Sequence, residues 1–281
     1  VRVGSDGRAT VVTAMQDIGT GTKTAMAMIA AEELGIPLEH VTVSVGDSAR
    51  GPYASISAGS STTPSMGPAV RAAAADAREQ IEEIAEQRGL KGAPIAEVVD
   101  VLEDAQILGK GGRGPNPTGM QVLTFGVQVA EVAVDVETGE VWVERIAAVH
   151  DIGRVINPLG ASSQVEGGII QGIGHTLSEE RLHDPKTGRL LTTTLDAYKL
   201  PTIADVPEIV SELIDEPDEH LTNLGSKGLG EPPIIPTAAA IANAIRDATG
   251  ADVRQLPITR EEMLRALREA KERHAAPAGV V

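Results

Sequence analysis

The spacing of apolar and polar residues divides the chain into alternating strands and helices. Period-two runs predict short strands at Val1–Val3, Thr10–Met15 and Val41–Val45, the first two of which form a hairpin. Helical spacing predicts helices at Ala25–Leu34 and Pro68–Gln87. Repeated strand–helix units of this kind predict an α+β fold, with residues 1–90 as its first unit.

Residues 125–281 show the same mixture and form the predicted second unit. Val127–Val136 and Val141–Val149 alternate strictly across a short turn, which predicts a hairpin with one buried face. Further elements are predicted as a hairpin through Asp184–Gly188, a strand at Ile209–Ile214, and helices at Ile234–Thr249 and Glu261–Arg273. Residues 91–124 are predicted to be a connector, with a helix at Ile95–Leu108 and an exposed glycine-rich loop.

Composition narrows the possible functions. Hydrophobic residues make up 42% of the chain and aromatic residues only 1%, so the core must be aliphatic. The net charge of −16 and the scarcity of aromatics argue against nucleic-acid binding and favour a soluble, cytoplasmic protein. The absence of cysteine excludes an iron–sulfur cluster, a disulfide framework and a thiol nucleophile from this chain. The six histidines lack metal-ligating spacing.

A glycine loop, Gln16–Thr24, connects a predicted strand to a predicted helix. This arrangement aims backbone N–H groups and the positive end of a helix dipole at an anion, and its threonines add hydroxyl donors. A tight turn with a threonine cap explains the same residues equally well. The spacing matches neither a phosphate-binding P-loop nor a dinucleotide fingerprint.

A second loop, Ser57–Gly67, is dense in serine, threonine and glycine and also leads into a helix. Small polar residues allow the backbone to approach a polar ligand closely. A flexible linker has a similar composition. A second glycine loop that leads directly into a helix favours a ligand-binding role.

A third candidate is the helix predicted to begin at Asn157-Pro158, because Asn is a favoured N-cap and Pro a favoured first residue. Gln164 lies on this helix, followed by glycines at 167, 168, 172 and 174. Each interior glycine costs a helix about 1 kcal/mol relative to alanine, so these glycines predict very close packing. A capped surface glutamine is the alternative interpretation of Gln164.

The last candidate is Glu231, which lies between a glycine-rich turn and two prolines. Pro232 and Pro233 predict an extended Glu231 with little backbone freedom. The apolar run that follows predicts a helix, and a carboxylate buried on such a stiff mount would be able to act as a base. From this segment alone, however, a solvated loop glutamate is the favoured interpretation.

These segments, in this order, resemble the molybdopterin-binding subunit of the xanthine dehydrogenase and aldehyde oxidase family. The strongest matches are Gly228–Pro236 and Asp151–Pro158 with Gln164–Gly168. The resemblance covers almost the whole chain, but only the C-terminal cofactor-binding part of such subunits. It implies partner chains that carry the first molybdopterin-binding lobe, the iron–sulfur clusters and FAD.

The resemblance also implies roles for individual residues. Glu231 is expected to be the base in an oxidative hydroxylation that uses water, and Gln164 to hydrogen-bond an oxygen ligand of the molybdenum. The cofactor is expected to be molybdopterin in its cytosine dinucleotide form, held without side-chain ligands to the metal. Its phosphate side is expected to contact Gly19, Thr20, Gly21 and Thr24, and its pterin to contact Gly59, Ser60, Ser61 and Thr62.

Two alternatives remain at this point. A non-catalytic paralogue or assembly subunit would keep the fold without needing Glu231 or Gln164. A plain anion-binding α+β domain would explain the glycine loops but not Glu231 before two prolines. The substrate stays open among xanthine, an aldehyde, an N-heterocycle and carbon monoxide, because the absent lobe largely sets it in this family.

Overall fold

A computed structural model describes residues 1–103, 105–115 and 118–275 of the chain. The chain divides into two compact units. The first comprises Val1–Thr124, Asp151–Ala161 and Leu213–Gly230, and the second comprises Phe125–His150, Ser162–Glu212 and the chain from Glu231 onward. The predicted division into 1–90, 91–124 and 125–281 differs from this, because two later segments return to the first unit.

The first unit is built on a four-stranded sheet in the order β3-β2-β1-β4. Its strands are β1 (Arg2–Val3), β2 (Ala9–Val12), β3 (Val41–Ser44) and β4 (Ile107–Leu108). β1 runs antiparallel to β2 and β4, which confirms the predicted first hairpin, while β2 and β3 are parallel. The parallel pair requires a crossover connection, and α1 (Thr22–Leu34) provides it.

Helices α1, α2 (Thr62–Arg88) and α3 (Ile95–Asp100) complete the first unit. The core is aliphatic as predicted, with Val3, Met26, Ala74 and Val99 fully buried. α2 begins at Thr62, earlier than the predicted Pro68, so the Ser/Thr loop ends at Ser61.

The segment predicted to be a connector contributes to the first unit. The expected helix at Ile95–Leu108 ends at Asp100, and its last two residues form β4, an edge strand paired with β1. Val98 and Val99 are buried in the core. The first residue of the glycine-rich loop, Gly109, packs against α2, since a Cβ at this position would be 2.1 Å from the Ala73 carbonyl oxygen.

The second unit contains a three-stranded sheet in the order β5-β6-β7. Its elements are β5 (Phe125–Val134), β6 (Val141–Asp151), α4 (Pro158–Leu177), β7 (Glu208–Ile214), α5 (Thr237–Thr249) and α6 (Arg260–Ala275). These confirm the predicted strands and the last two predicted helices, and α5 packs on β5. The predicted hairpin through Asp184–Gly188 is reduced to one bridge, between His183 and Leu190. Within the described ranges, no helix is long and apolar enough to cross a membrane.

His150, near the end of β6, is the most unusual core residue of the second unit. It is 0% exposed, and neither ring nitrogen has a hydrogen-bond partner in the part of the chain that the structure describes. The ring lies against Gly126, where an added Cβ would be 2.5 Å from His150 Cδ2. Burial lowers the pKa of His150, because the charged imidazolium would lose its solvation.

We expect this histidine to make the folded chain sensitive to acid. The unfolded chain binds a proton at His150 more readily than the folded chain, so stability falls as the pH drops below the ordinary value of 6.5. Relative to the wild type, His150→Leu should gain up to about 1.4 kcal/mol of unfolding free energy per pH unit below that point. Urea unfolding between pH 7 and pH 5 measures the difference. His220→Leu, at an exposed histidine, is the control, and parallel curves for wild type and His150→Leu would contradict the expectation.

Candidate functional site

The two predicted cofactor loops lie together in the first unit. The Ser57 backbone N–H donates to Gln16 Oε1 at 2.9 Å, and the Ser57 hydroxyl donates to the Gln16 carbonyl at 2.8 Å. The side chains of Gln16 and Ser57 thus join two loops that are far apart in sequence. The structure therefore brings two of the four predicted segments into contact.

Asp17, which the sequence analysis did not single out, occupies the N-terminus of α1. Its carboxylate accepts hydrogen bonds from the N–H groups of Gly19 at 3.0 Å and Lys23 at 2.8 Å. Partial burial opposes ionisation, but the N–H groups of Lys23 and Gly19 keep the pKa of Asp17 below its ordinary value. The Asp17 carboxylate thus occupies part of the anion-binding position that the loop was predicted to offer. An acidic residue within reach of a helix N-terminus was the available signal.

The glycines of both loops face open space. Gly19, Gly21 and Gly59 all have positive φ, and a Cβ added to any of them would meet no described residue within 4 Å. Thr20 and Thr24 are exposed beside them. These residues therefore leave backbone accessible to a ligand, which is what a cofactor loop needs.

A third segment contacts the Ser/Thr loop through two glycines. A Cβ on Gly228 would be 2.2 Å from the Ser60 carbonyl oxygen, and one on Gly230 would be 3.0 Å from Ser60 Oγ. The Thr124 hydroxyl donates to the Gly228 carbonyl at 2.9 Å. Glycine is required at 228, where the neighbouring atom is backbone, whereas a Cβ at 230 would need only a small shift of Ser60. The segment that ends directly before Glu231 is thereby attached to the predicted pterin loop.

Lys227 fixes the same segment to the chain that precedes α4. Its Nζ lies 2.7 Å from Asp151 Oδ2 and 3.9 Å from Asp218 Oδ2. Its backbone N–H donates to the Ile152 carbonyl at 2.7 Å, next to the antiparallel bridge between Gly153 and Ser226. Partial burial of Asp151 opposes its ionisation, but the ion pair with Lys227 lowers the pKa of Asp151, so this carboxylate stays charged. An ion pair and backbone pairing therefore hold these two segments together.

Glu231 opens a short 3-10 turn over Pro232–Ile234 in the second unit. Its φ of −96° and ψ of −29° are helical, so the extended conformation predicted from the prolines is wrong. A following proline only disfavours helical backbone, and here Glu231 is the N-cap of the turn, where its carbonyl accepts from the Ile234 N–H at 3.2 Å. The expected burial is also wrong for this chain, since Glu231 is exposed.

Helix α4 packs on this turn through its glycines. A Cβ on Gly168 would be 2.5 Å from Pro233 Cβ, and one on Gly172 would be 2.4 Å from Thr237 Cβ. The predicted close packing is confirmed at Gly168, Gly172 and Gly174, but not at Gly167, where a Cβ would meet nothing within 4 Å among the described residues. The Asn157 side chain accepts from the Gly160 N–H at 3.1 Å, which confirms the predicted N-cap.

Gln164 lies one helical turn before Gly168, on the helix that contacts Pro233. It is partly buried. Glu231 is separated from Pro233 only by Pro232. The fold of the second unit thus brings the helix of Gln164 and the turn of Glu231 into contact, although they are distant in sequence.

Gln128 on β5 is a further residue of this site that the sequence analysis missed. It is buried; its Nε2 donates to the Pro233 carbonyl at 2.6 Å, and its Oε1 accepts from the Thr237 hydroxyl at 2.7 Å. One amide therefore holds both the Glu231 turn and the start of α5. The signal was a lone amide within a run of alternating valine and alanine.

Glycine loops with open backbone, hydroxyl-rich segments and a carboxylate on a rigid turn define the class as an α+β cofactor-binding domain. Within the described ranges, no cluster of His, Cys, Asp or Glu could ligate a metal ion. The chain belongs to the molybdopterin cofactor-binding domain family, whose model matches residues 1–207. The resemblance inferred from the motifs is thereby confirmed.

Individual relatives agree with this assignment. The chain is 34% identical over 276 residues to the aldehyde oxidoreductase molybdenum-binding subunit of Escherichia coli, covering 94% of this chain and 38% of that subunit. It is 34% identical to the xanthine dehydrogenase molybdenum-binding subunit of Escherichia coli O157:H7, covering 90% and 37%. The fold matches quinoline 2-oxidoreductase from Pseudomonas putida 86 with a TM-score of 0.83 and 28% identity, covering 96% of this chain and 38% of that one. The chain thus spans well under half the length of these relatives.

Proposed function

We propose that this chain is the C-terminal cofactor-binding part of a molybdenum hydroxylase that oxidatively hydroxylates an electron-poor carbon of a heterocycle or an aldehyde, using water. The observation that carries the proposal is the contact of the Glu231 turn, through Pro233, with Gly168 on the helix of Gln164. The relatives' names, which include an aldehyde oxidoreductase and a quinoline oxidoreductase, support this reaction class.

The residues present fit a molybdopterin cofactor, which we propose to be the cytosine dinucleotide form. Gly59 offers open backbone to the pterin beside Ser60, while Gly19 and Gly21 leave space at the phosphate side. Because Asp17 already accepts the N–H groups of Gly19, Gly21 and Lys23, phosphate contacts should come from Thr20 and Thr24. When bound, this cofactor supplies the two-electron redox chemistry and carries the metal.

The chain's own contribution to catalysis is a positioned base. We propose that the Glu231 carboxylate takes a proton from the oxygen nucleophile as it attacks the substrate carbon. Gln128 and Gly168 fix the turn that carries Glu231, so the carboxylate needs little reorganisation. Gln164, whose amide can both donate and accept, would hydrogen-bond and orient an oxygen ligand of the metal when the cofactor is bound. We further propose that the first lobe excludes water around Glu231, which is exposed in this chain.

Partner polypeptides follow from this proposal. The chain has no cysteine, so the iron–sulfur clusters would lie on another chain, as would FAD. Exposed large apolar side chains lie in the first loop, at Ile18, and just before the second, at Tyr53 and Ile56, which favours an interface centred on these loops. We propose that the first-lobe polypeptide, meaning the part of the relatives' subunit that this chain lacks, covers these loops.

Elemental analysis tests the proposal. We expect the chain purified alone to contain almost no molybdenum, because a buried dinucleotide needs walls from both lobes. Co-expression with the first-lobe polypeptide should give a complex on gel filtration with about one molybdenum per chain. Stoichiometric molybdenum in the chain alone would contradict the shared site, and two separate monomer peaks at micromolar concentration would contradict the partner.

A further inference from the structure

The second unit's sheet exposes apolar side chains on β5 and buries a polar one. Gln128 is 8% exposed, whereas Phe125, Val127 and Val129 are 64%, 65% and 63% exposed. Alternate residues of a strand point to opposite faces, so these three side chains share the face away from Gln128. This reverses the usual pattern, in which the solvated face of such a sheet is the polar one.

The neighbouring strands extend this face. On β6, Ile146 and Ala148 are buried while Ala147 and Val149 are exposed, and on β7 Val210 is exposed. We call the exposed set the outer face. Its members are Phe125, Val127, Val129, Ala147, Val149 and Val210.

One end of the outer face is charged. Arg145 on β6 lies 4.0 Å from Glu131 on β5 and 3.8 Å from Glu208 on β7. By strand alternation these three residues belong to the same face as Val127, Ala147 and Val210. Glu212, exposed on β7, belongs to the same face by alternation. The face therefore has an apolar centre and a charged margin with two more carboxylates than cations, the layout of an interface core and rim.

We infer that the outer face binds the first-lobe polypeptide, an inference that rests on the proposed function. The chain covers only 38% of the curated subunit, so more than half of that subunit is polypeptide without a counterpart here. A contiguous apolar face of this kind marks a protein interaction site. The occupant should present an apolar patch, with a basic side chain opposite Glu131 and Glu208.

A second copy of this chain is a poorer match. Two copies carry −16 each, so the net charge opposes their association. Like-charge contacts across an interface are destabilising. The charge complementarity of the face therefore favours a different polypeptide with a basic edge.

Thiol labelling tests the inference, because the wild-type chain has no cysteine. Val129→Cys places a single thiol in the outer face, and Val136→Cys places one at the hairpin turn, where the valine is 51% exposed. Each variant is co-expressed with the first-lobe polypeptide, and its maleimide labelling rate is compared with that of the same variant purified alone. We expect labelling of Val129→Cys to be slower in the complex by at least about tenfold, since interface cores exclude water, and that of Val136→Cys to be unchanged.

The outcomes separate this inference from the proposed function. Equal labelling of Val129→Cys with and without the partner, in a complex that forms, would overturn the assignment of the face and leave the partner proposal standing. Failure of any complex to form would overturn both. Protection that appears in the chain alone and grows with its concentration would assign the face to a second copy. As a second measurement, Val127→Lys should weaken the complex by at least about tenfold, and Val136→Lys should not.

Discussion

Replacing Glu231 with glutamine in the assembled enzyme is expected to lower turnover per molybdenum by about 10²–10⁴-fold, the usual contribution of a positioned base. Glutamine keeps the shape of the side chain but cannot accept the proton. Molybdenum content should hardly change, because the proposed role of the carboxylate is on the substrate side. Activity assays paired with elemental analysis of the same preparation measure both effects.

Two further variants serve as a control and a comparison for Glu231→Gln. Glu216→Gln, at another exposed loop glutamate, should leave turnover unchanged. Gln164→Ala should lower turnover less than Glu231→Gln does, since it removes an orienting hydrogen bond and not the proton acceptor. Normal turnover in Glu231→Gln would remove the proposed base and favour the non-catalytic assembly subunit. Loss of molybdenum in that variant would make Glu231 a structural residue.

The second large effect is expected at Gly168 on α4. Gly168→Ala would place a Cβ 2.5 Å from Pro233 Cβ, so the helix or the Glu231 turn must shift. Overpacking of this kind costs about 1–3 kcal/mol of unfolding free energy. In the assembled enzyme the same displacement should also lower turnover, because Pro233 belongs to the turn that carries Glu231.

The adjacent glycine is a matched control. A Cβ on Gly167 meets nothing within 4 Å, so Gly167→Ala should gain up to about 1 kcal/mol from helix propensity alone. Urea unfolding of the full chain should therefore shift in opposite directions for the two variants. A shift in the same direction would show that α4 does not pack on the Glu231 turn as the structure describes.

Several local features could be predicted because they depend on neighbours in sequence. Apolar spacing placed α5 and α6 to within a turn, and Asn157-Pro158 marked the start of α4. Four candidate segments could be selected from glycine, hydroxyl and proline chemistry. The glycines of α4 also predicted close packing, although not which residues would pack there.

The errors share a cause, which is that distant parts of the chain decided them. Gly67 and Pro68 suggested a later start for α2, yet Gly67 allows the helix to approach Leu224. On β5 the alternating valines favour burial of their own face, yet Gln128 on the opposite face is the buried residue. Asp17 was overlooked because its role depends on how the loop folds back over α1.

Local sequence therefore determined which segments carry the candidate chemistry. Periodicity selects helix or strand through short-range contacts, and glycine, proline and hydroxyl-bearing residues affect the backbone at their own positions. Tertiary structure alone decided which segments meet and which faces remain exposed. The contacts of Ser57 with Gln16, of Gln128 with Pro233 and of Gly168 with Pro233 all join residues that are distant in sequence. Such contacts depend on the packing of the whole unit, because each is stable only when the elements on both sides are already in place.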